Sequence, residues 1–264
     1  MSIDAVFIAG ERDFPILAYG IPSLRKWSSV NRIIVVAKRD PGFKNMVYEF
    51  FDESLFPFQL EDVKKFIPDP RATWYYQQLL KMYAAFVIPN LNNIAIIDAD
   101  VVFLKPIKFI EEGKVLLNVS TEYWQPYFDH MLRLHPSFKR ILGLSGIAHY
   151  TVFNKAVLQA LLSLIELRHG DLFWKVFLKL VEPEMYSHSG ASEYELYFNY
   201  ILQFYPVLIE VRPLPYCNDQ NSWKPEDVYI AFHHYIRRSN WEECLLEIQG
   251  CVCLAKLSLY IEHP

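Results

Sequence analysis

Residues 94–106, Ile-Ala-Ile-Ile-Asp-Ala-Asp-Val-Val-Phe-Leu-Lys-Pro, constrain this chain more than any other segment. Ile94 to Ile97 are uncharged and mostly β-branched, the pattern of a strand buried on both faces of a mainly parallel sheet. The run ends on two carboxylates, Asp98 and Asp100. Alternate side chains of an extended chain share a face, which sets the pair about 6–7 Å apart on one side. Open α/β sheets bind ligands beyond the carboxyl ends of their strands. Two hard oxygen donors there suit Mg²⁺ or Mn²⁺ and, through the metal, a diphosphate. Asp-x-Asp also closes strands as plain turn chemistry, so the reading leans on the strand before it and on Leu104-Lys105-Pro106 after it.

The rest of the chain alternates strand and helix signals. Ile3–Ala9, Arg32–Ala37, Val115–Val119, Ile147–Phe153, Val207–Val211 and Val228–Phe232 read as extended. Phe14–Trp27, Thr73–Val87, Lys155–Leu167, Glu193–Phe204 and Glu242–Tyr260 have helical spacing, and Pro89-Asn90 closes the second of these. Residues 40–70 suggest short helices and loops, and Glu122–Tyr127 an aromatic loop. No linker stands out, so one α/β domain is expected.

Composition narrows the classes. With 264 residues, 52% of them apolar, the chain can bury a sizeable core. Its net charge of -4 argues against a nucleic-acid partner held by bulk electrostatics. Cys217, Cys244, Cys251 and Cys253 match neither a disulfide framework nor a zinc spacing, which favours a reducing, cytoplasmic location. The first apolar run is short and follows Asp4, unlike a secretory signal. No stretch reaches the roughly 20 apolar residues of a membrane span, so no transmembrane segment is expected; peripheral membrane association stays open.

Taken in order, these pieces resemble glycosyltransferases of the GT-A fold, closest to a poorly characterised bacterial and viral branch. The resemblance rests on Trp74-Tyr75-Tyr76-Gln77-Gln78-Leu79-Leu80-Lys81, Asp98-Ala99-Asp100 with Leu104-Lys105-Pro106, Ser145-Gly146-Ile147-Ala148-His149, Val152-Phe153-Asn154 and Ser192-Glu193-Tyr194-Glu195. It implies a Rossmann-like, nucleotide-sugar-binding fold with a mainly parallel central sheet flanked by helices. That fold would fill residues 1–264 as one domain, with a nucleotide-binding half (1–110) and an acceptor-binding half carrying the C-terminal helix (111–264). The implied activity moves a sugar from a nucleotide-sugar donor, a UDP-sugar before a GDP-sugar, to a glycan or other hydroxyl acceptor, building a surface or capsular glycan.

The same resemblance assigns roles. Asp100 would hold Mn²⁺ or Mg²⁺, and Asp98 would contact the ribose or donor sugar and the metal's water shell. A C-terminal histidine often adds a metal ligand; His233 and His234 are the candidates, with Arg237 and Arg238 beyond them as diphosphate contacts. Better-known families place a glycine and Lys-Pro-Trp after that histidine, which this chain lacks. Ala9, Gly10, Arg12 and Asp13 would meet the nucleotide base, Gly10 allowing close backbone approach; an ordinary polar loop reads the same way. Lys81 would face the donor, and Trp74 and Tyr76 either flank the nucleotide or belong to the core. Ser145, Gly146 and His149 would line the donor-sugar cleft. Trp124 and Tyr127 are candidates for stacking on an acceptor sugar, or are lid or core residues.

An inverting transferase needs a base beside the acceptor hydroxyl, and Glu193 is favoured for it. Glu195 is expected to complete a capping box with Ser192; a retaining enzyme would need no such base. Two rivals remain. Asp98-Ala99-Asp100-Val101-Val102 satisfies the Asp-x-Asp-x-Val motif of haloacid-dehalogenase phosphohydrolases, but it lies near residue 100 and no Gly-Asp-x-x-x-Asp follows. The other is a nucleotide-sugar- or carbohydrate-binding protein without turnover.

Overall fold

Alternating apolar runs and helical periods fold into a mixed α/β structure. The structure, a computed structural model, describes residues 3–219, 222–233, 237 and 240–251. In chain order it runs β1 (Asp4–Ile8), α1 (Phe14–Trp27), β2 (Ile33–Ala37), β3 (Glu49–Asp52), α2 (Leu60–Lys64), α3 (Ala72–Val87), β4 (Asn93–Asp98), β5 (Val101–Phe103), β6 (Ile110–Glu111), β7 (Lys114–Leu117) and α4 (Gln125–Leu134). It continues with β8 (Tyr150–Asn154), α5 (Lys155–His169), α6 (Phe173–Lys179), α7 (Glu193–Phe204), β9 (Ile209–Val211), β10 (Tyr216–Cys217), β11 (Tyr229–Ala231) and α8 (Trp241–Cys251). The described residues divide into two compact units. One holds Glu53–Ile96 and Ile110–Pro213; the other holds the chain up to Asp52, Ile97–Phe109 and the residues from Leu214 on.

In the second unit β1, β2 and β3 pair in parallel, with Ala5 opposite Ile33 and Val35 opposite Phe50. Every residue of β1 and β2 is buried, as continuous apolar runs require. The strand order is β3-β2-β1-β4, and the last two residues of β4, Ile97 and Asp98, belong to this unit. A smaller sheet pairs β5 antiparallel to β11, which pairs in parallel with β10. Helix α1 lies directly on β5. A Cβ added at Gly20 would fall 2.8 Å from the Val101 carbonyl oxygen, so only glycine admits this approach. Three residues on, the buried Ser23 hydroxyl accepts from Phe103 N–H at 3.0 Å and donates to the Gly20 carbonyl at 2.7 Å. Ile16, Tyr19, Val102, Ile230, Phe232, Trp241 and Leu245 close the core on this side.

The first unit is dominated by helices. Strand β8 lies beside β4. Strands β6 and β7 form a hairpin through Glu112 and Gly113, both at positive φ (49° and 80°), the requirement of a tight two-residue turn. Strand β7 also pairs in parallel with β9. Asn154 caps α5 by accepting from Val157 N–H, and Gly170 ends that helix at φ 66°.

Several expectations shift. Residues 40–70 contain the strand β3 as well as the short helix α2. The aromatic loop gives way to α4 at Gln125, with Pro126 in its first turn. Of the run Val207–Val211 only Ile209–Val211 is strand, because a 3-10 turn takes up Pro206–Leu208. Helix α6 has no counterpart in the sequence reading. The expected helical residues beyond Cys251, and Cys253 with them, lie outside the described residues. Among the described residues no helix is long and apolar enough to cross a membrane.

Burial of α4 against α6 makes one pH-dependent contact. His130 is fully enclosed and its Nε2 lies 2.8 Å from the Phe177 carbonyl oxygen. A carbonyl only accepts, so Nε2 carries the proton of a neutral ring. Burial, with the Arg133 charge adding to it, pushes the imidazole down to about 3. A folded value below the unfolded one gives stability that is complete above about pH 6.5 and is lost as pH falls toward 3. The thermal midpoint of the protein should therefore drop between pH 7 and 4.5. His130→Gln, which can still donate to Phe177, should flatten that drop in a calorimetric pH series.

Candidate functional site

In the second unit, the register of one ladder builds the site. Tyr229 faces Phe103, Ile230 faces Val102 and Ala231 faces Val101. Extending the antiparallel pairing brings Phe232 to Asp100, whose carbonyl accepts Phe232 N–H at 2.9 Å. The next residue, His233, thereby sets its Nδ1 3.5 Å from Asp100 Oδ2. The other oxygen, Asp100 Oδ1, is buried and has no hydrogen-bond partner among the described residues. Leaving a buried carboxylate oxygen unpaired is costly, so this atom asks for a donor or a cation.

A second carboxylate is close by. Asp13, at the turn after β1, lies near enough to Asp100 for the two charges to repel. Burial raises the Asp13 carboxyl above the usual range; the Arg237 hydrogen bond pulls it down and the Asp100 charge pushes it up. Arg237 binds Asp13 Oδ1 at 3.1 Å, and Arg12, largely exposed, sits 3.7 Å from Asp13 Oδ2. Ala9 is buried. Gly10 adopts φ -81° and ψ 154°, extended backbone open to any residue. Asp98 ends β4, two residues before Asp100. His234 and Arg238 lie outside the described residues. Asp13, Asp98, Asp100, His233 and Arg237 thus all fall in one unit, although the sequence scatters them from residue 13 to residue 237.

The first unit holds the remaining candidates around the start of α7. Ser192 accepts from Glu195 N–H at 3.2 Å, the helix cap the sequence suggests. The reciprocal half of the box is replaced. The buried Glu195 carboxylate accepts from the Ser145 hydroxyl, from Asn199 Nδ2 at 2.9 Å and from the Gly146 backbone. Burial raises its carboxyl above the usual value against these three bonds. Glu195 therefore ties the Ser145-Gly146 turn to α7. Gly146 is itself wedged there, since an added Cβ would meet Phe198 Cβ at 2.4 Å.

Glu193 and Lys81, assigned separate roles from sequence, meet each other at 2.7 Å with both side chains almost wholly enclosed. Gln78 Oε1 accepts from Glu193 N–H at 3.0 Å, and the Lys81 ammonium lies 4.2 Å from the Tyr194 ring centre. Breaking a buried pair from one side strands a charge at about 3–5 kcal/mol. Lys81→Met should lower stability by that order in chemical denaturation, and adding Glu193→Leu should recover much of the loss.

His149 is buried at φ 61°, just before β8. Tyr127 is buried and hydrogen-bonded to Ser189, which removes its ring from any acceptor surface. Trp124 remains half-exposed, its indole N–H donating to the Ser189 carbonyl at 2.6 Å. Tyr76 is a core residue edge-on to Phe58, whereas Trp74 carries the Arg71 guanidinium 4.5 Å from its ring centre. Gln78, Asn199, Ser189, Gly20 and Ser23 emerge only from the structure. The partners of Ser23 and Gln78 lie 80 and 115 residues away, beyond any local pattern, whereas Asn199 reaches back one helical turn to Glu195.

Among the described residues, no group of three or more His, Cys, Asp or Glu side chains could by itself hold a metal ion. The arrangement in the second unit is instead a partial donor set, with Asp100 Oδ1 unpartnered among the described residues and His233 beside Oδ2. Small divalent cations take one or two carboxylates from protein and complete their shell with substrate phosphates and water. The residues present fit such an ion.

Fold and site together define an α/β protein with a carboxylate site at the end of a buried strand. The chain belongs to DUF6492, a family of unknown function whose model matches residues 23–211. No curated protein matches the chain. Among solved structures, mouse xyloside xylosyltransferase 1 in its apo form is similar over 90% of this chain and 99% of its own, with 12% identity and a TM-score of 0.45. That likeness is too distant to carry an argument about function.

Proposed function

We propose that this chain is a metal-dependent glycosyltransferase that takes its sugar from a nucleotide-sugar donor, with a GT-A-like fold. The observation that carries the reading is the buried Asp100 Oδ1, unpartnered among the described residues and beside His233, in the Ala99-Asp100 turn that follows β4. The proximity of Asp13 supports it, because a bound cation would relieve the repulsion between Asp13 and Asp100.

Cleaving a glycosyl–phosphate bond leaves negative charge on the departing diphosphate, and a bound Mn²⁺ or Mg²⁺ would neutralise that charge as a Lewis acid. Asp100 and His233 would hold the ion. Asp98 would orient the ribose or donor sugar, and the backbone at Ala9 and Gly10 would accept the base, with Arg12 and Asp13 at its edge. For the acceptor hydroxyl, Glu193 is the proposed base, its rotamer fixed by Lys81 and by the cap at the start of α7. The acceptor is a glycan or other hydroxyl compound.

A thermal-shift panel of UDP-, GDP-, CMP- and TDP-sugars with and without Mn²⁺ tests the reading. One nucleotide sugar should stabilise the protein far more in Mn²⁺ than in EDTA. A flat response across the panel would remove the proposal.

A further inference from the structure

Arg237 was expected to bind phosphate, yet four of its five N–H donors are already spent on protein. Nε and Nη2 donate to the Phe232 carbonyl at 3.1 and 2.9 Å, Nη1 to the Arg12 carbonyl at 3.3 Å, and Nη2 to Asp13 Oδ1 at 3.1 Å. The side chain is only 13% exposed. A guanidinium has five N–H groups on three nitrogens, and all three nitrogens here have protein acceptors. Its charge is offset by Asp13.

The residue it grips matters. The Phe232 carbonyl belongs to the planar peptide unit that leads into His233. The amide on the other side of Phe232 is held by the Asp100 carbonyl at 2.9 Å. The Phe232 ring packs against Trp241, their centres 5.7 Å apart. With both flanking peptide planes and the ring fixed, the path into His233 is fixed too. That path puts Nδ1 next to Asp100.

We infer that Arg237 is a positioning residue for the cation site: clamping the Phe232 carbonyl onto the Arg12-Asp13 turn, it holds His233 against Asp100 and makes no phosphate contact. The inference rests on the metal-dependent reading above. It also predicts a sign. If the guanidinium acted only through its charge, removing it beside two carboxylates would tighten cation binding. If it positions His233, removing it weakens cation binding.

The test is a Mn²⁺ titration followed by electron paramagnetic resonance without nucleotide, on wild type, Arg237→Ala and Arg237→Lys. It is paired with calorimetric UDP binding in EDTA and the thermal midpoint of each apo protein. Arg237→Ala should weaken Mn²⁺ about tenfold, the lower end of the loss seen when a residue supporting a metal ligand is removed. Arg237→Lys, which keeps the charge and one point of contact, should fall between, and UDP affinity in EDTA should move less than twofold. Unchanged or tighter Mn²⁺ binding in Arg237→Ala would overturn the inference, as would a loss of UDP affinity in EDTA with Mn²⁺ binding intact. Should Arg237→Ala fail to fold, Arg237→Lys decides by the same criteria. Wild type that binds no Mn²⁺ would sink the metal reading itself and this inference with it.

Discussion

Asp100→Ala should abolish the Mn²⁺-dependent stabilisation by a nucleotide sugar and lower transfer activity by about a thousandfold, while the apo protein keeps its fold. Stabilising a leaving diphosphate through a metal is worth several kcal/mol, and about 4 kcal/mol is a factor of a thousand in rate. The fold should tolerate the change because the carboxylate's Oδ1 makes no hydrogen bond to any of the described residues. Relief of repulsion with Asp13 works in the same direction. Circular dichroism of the variant and its thermal shift with donor, with and without Mn²⁺, measure both halves of the expectation. An intact metal-dependent shift in Asp100→Ala would remove the role assigned to this residue.

Gly146→Ala should be the most destabilising single-methyl change in the first unit. The new Cβ would sit 2.4 Å from Phe198 Cβ, 2.7 Å from Phe198 Cγ and 3.1 Å from the Tyr194 carbonyl oxygen. Phe198 is buried on α7, and α7 is held at its start by Gln78, Ser192 and the Glu195 bonds to Ser145 and Gly146. Neither side yields without breaking these, so the cost reaches about 3 kcal/mol or more. For a chain of this size that lowers the thermal midpoint by roughly 10 °C. Phe198→Ala, which removes Cγ and the ring beyond it and leaves only Cβ in the collision, should make the two changes less than additive in the double variant, a coupling that independent sites would not show. A Gly146→Ala midpoint within 3 °C of wild type would contradict the wedge.

What the sequence revealed follows from how each feature is encoded. Strands β1, β2 and β4 were legible because burial on both faces writes a continuous apolar run. Helices α1, α3, α5 and α7 were legible from a 3.6-residue period kept over at least three turns. Strand β3 was hidden because Glu49-Phe50-Phe51-Asp52 carries charges at both ends and no buried residue. Helix α4 was hidden because Pro126 reads as a loop signal until it is placed in a first turn, where its missing N–H costs nothing.

The site shows the same division. Asp98 and Asp100 could be singled out because strand and carboxylates are contiguous. The approach of His233 to Asp100 depends on β11 pairing with β5, a register between segments more than a hundred residues apart that leaves no local trace. Lys81 and Glu193 were each visible, but their mutual ion pair was not, because they lie 112 positions apart in sequence. Arg237 was visible as a cation after a strand. That its donors point inward, to Phe232, Arg12 and Asp13, is information only the fold holds.

The most direct measurement is anomalous diffraction from crystals of the protein grown with Mn²⁺ and UDP. A manganese peak about 2 Å from Asp100 Oδ1, with His233 turned to it and diphosphate oxygens completing the shell, is the expected result. An ion seated away from Asp100, or a diphosphate bound with the Asp100 carboxylate still unpartnered, would contradict it.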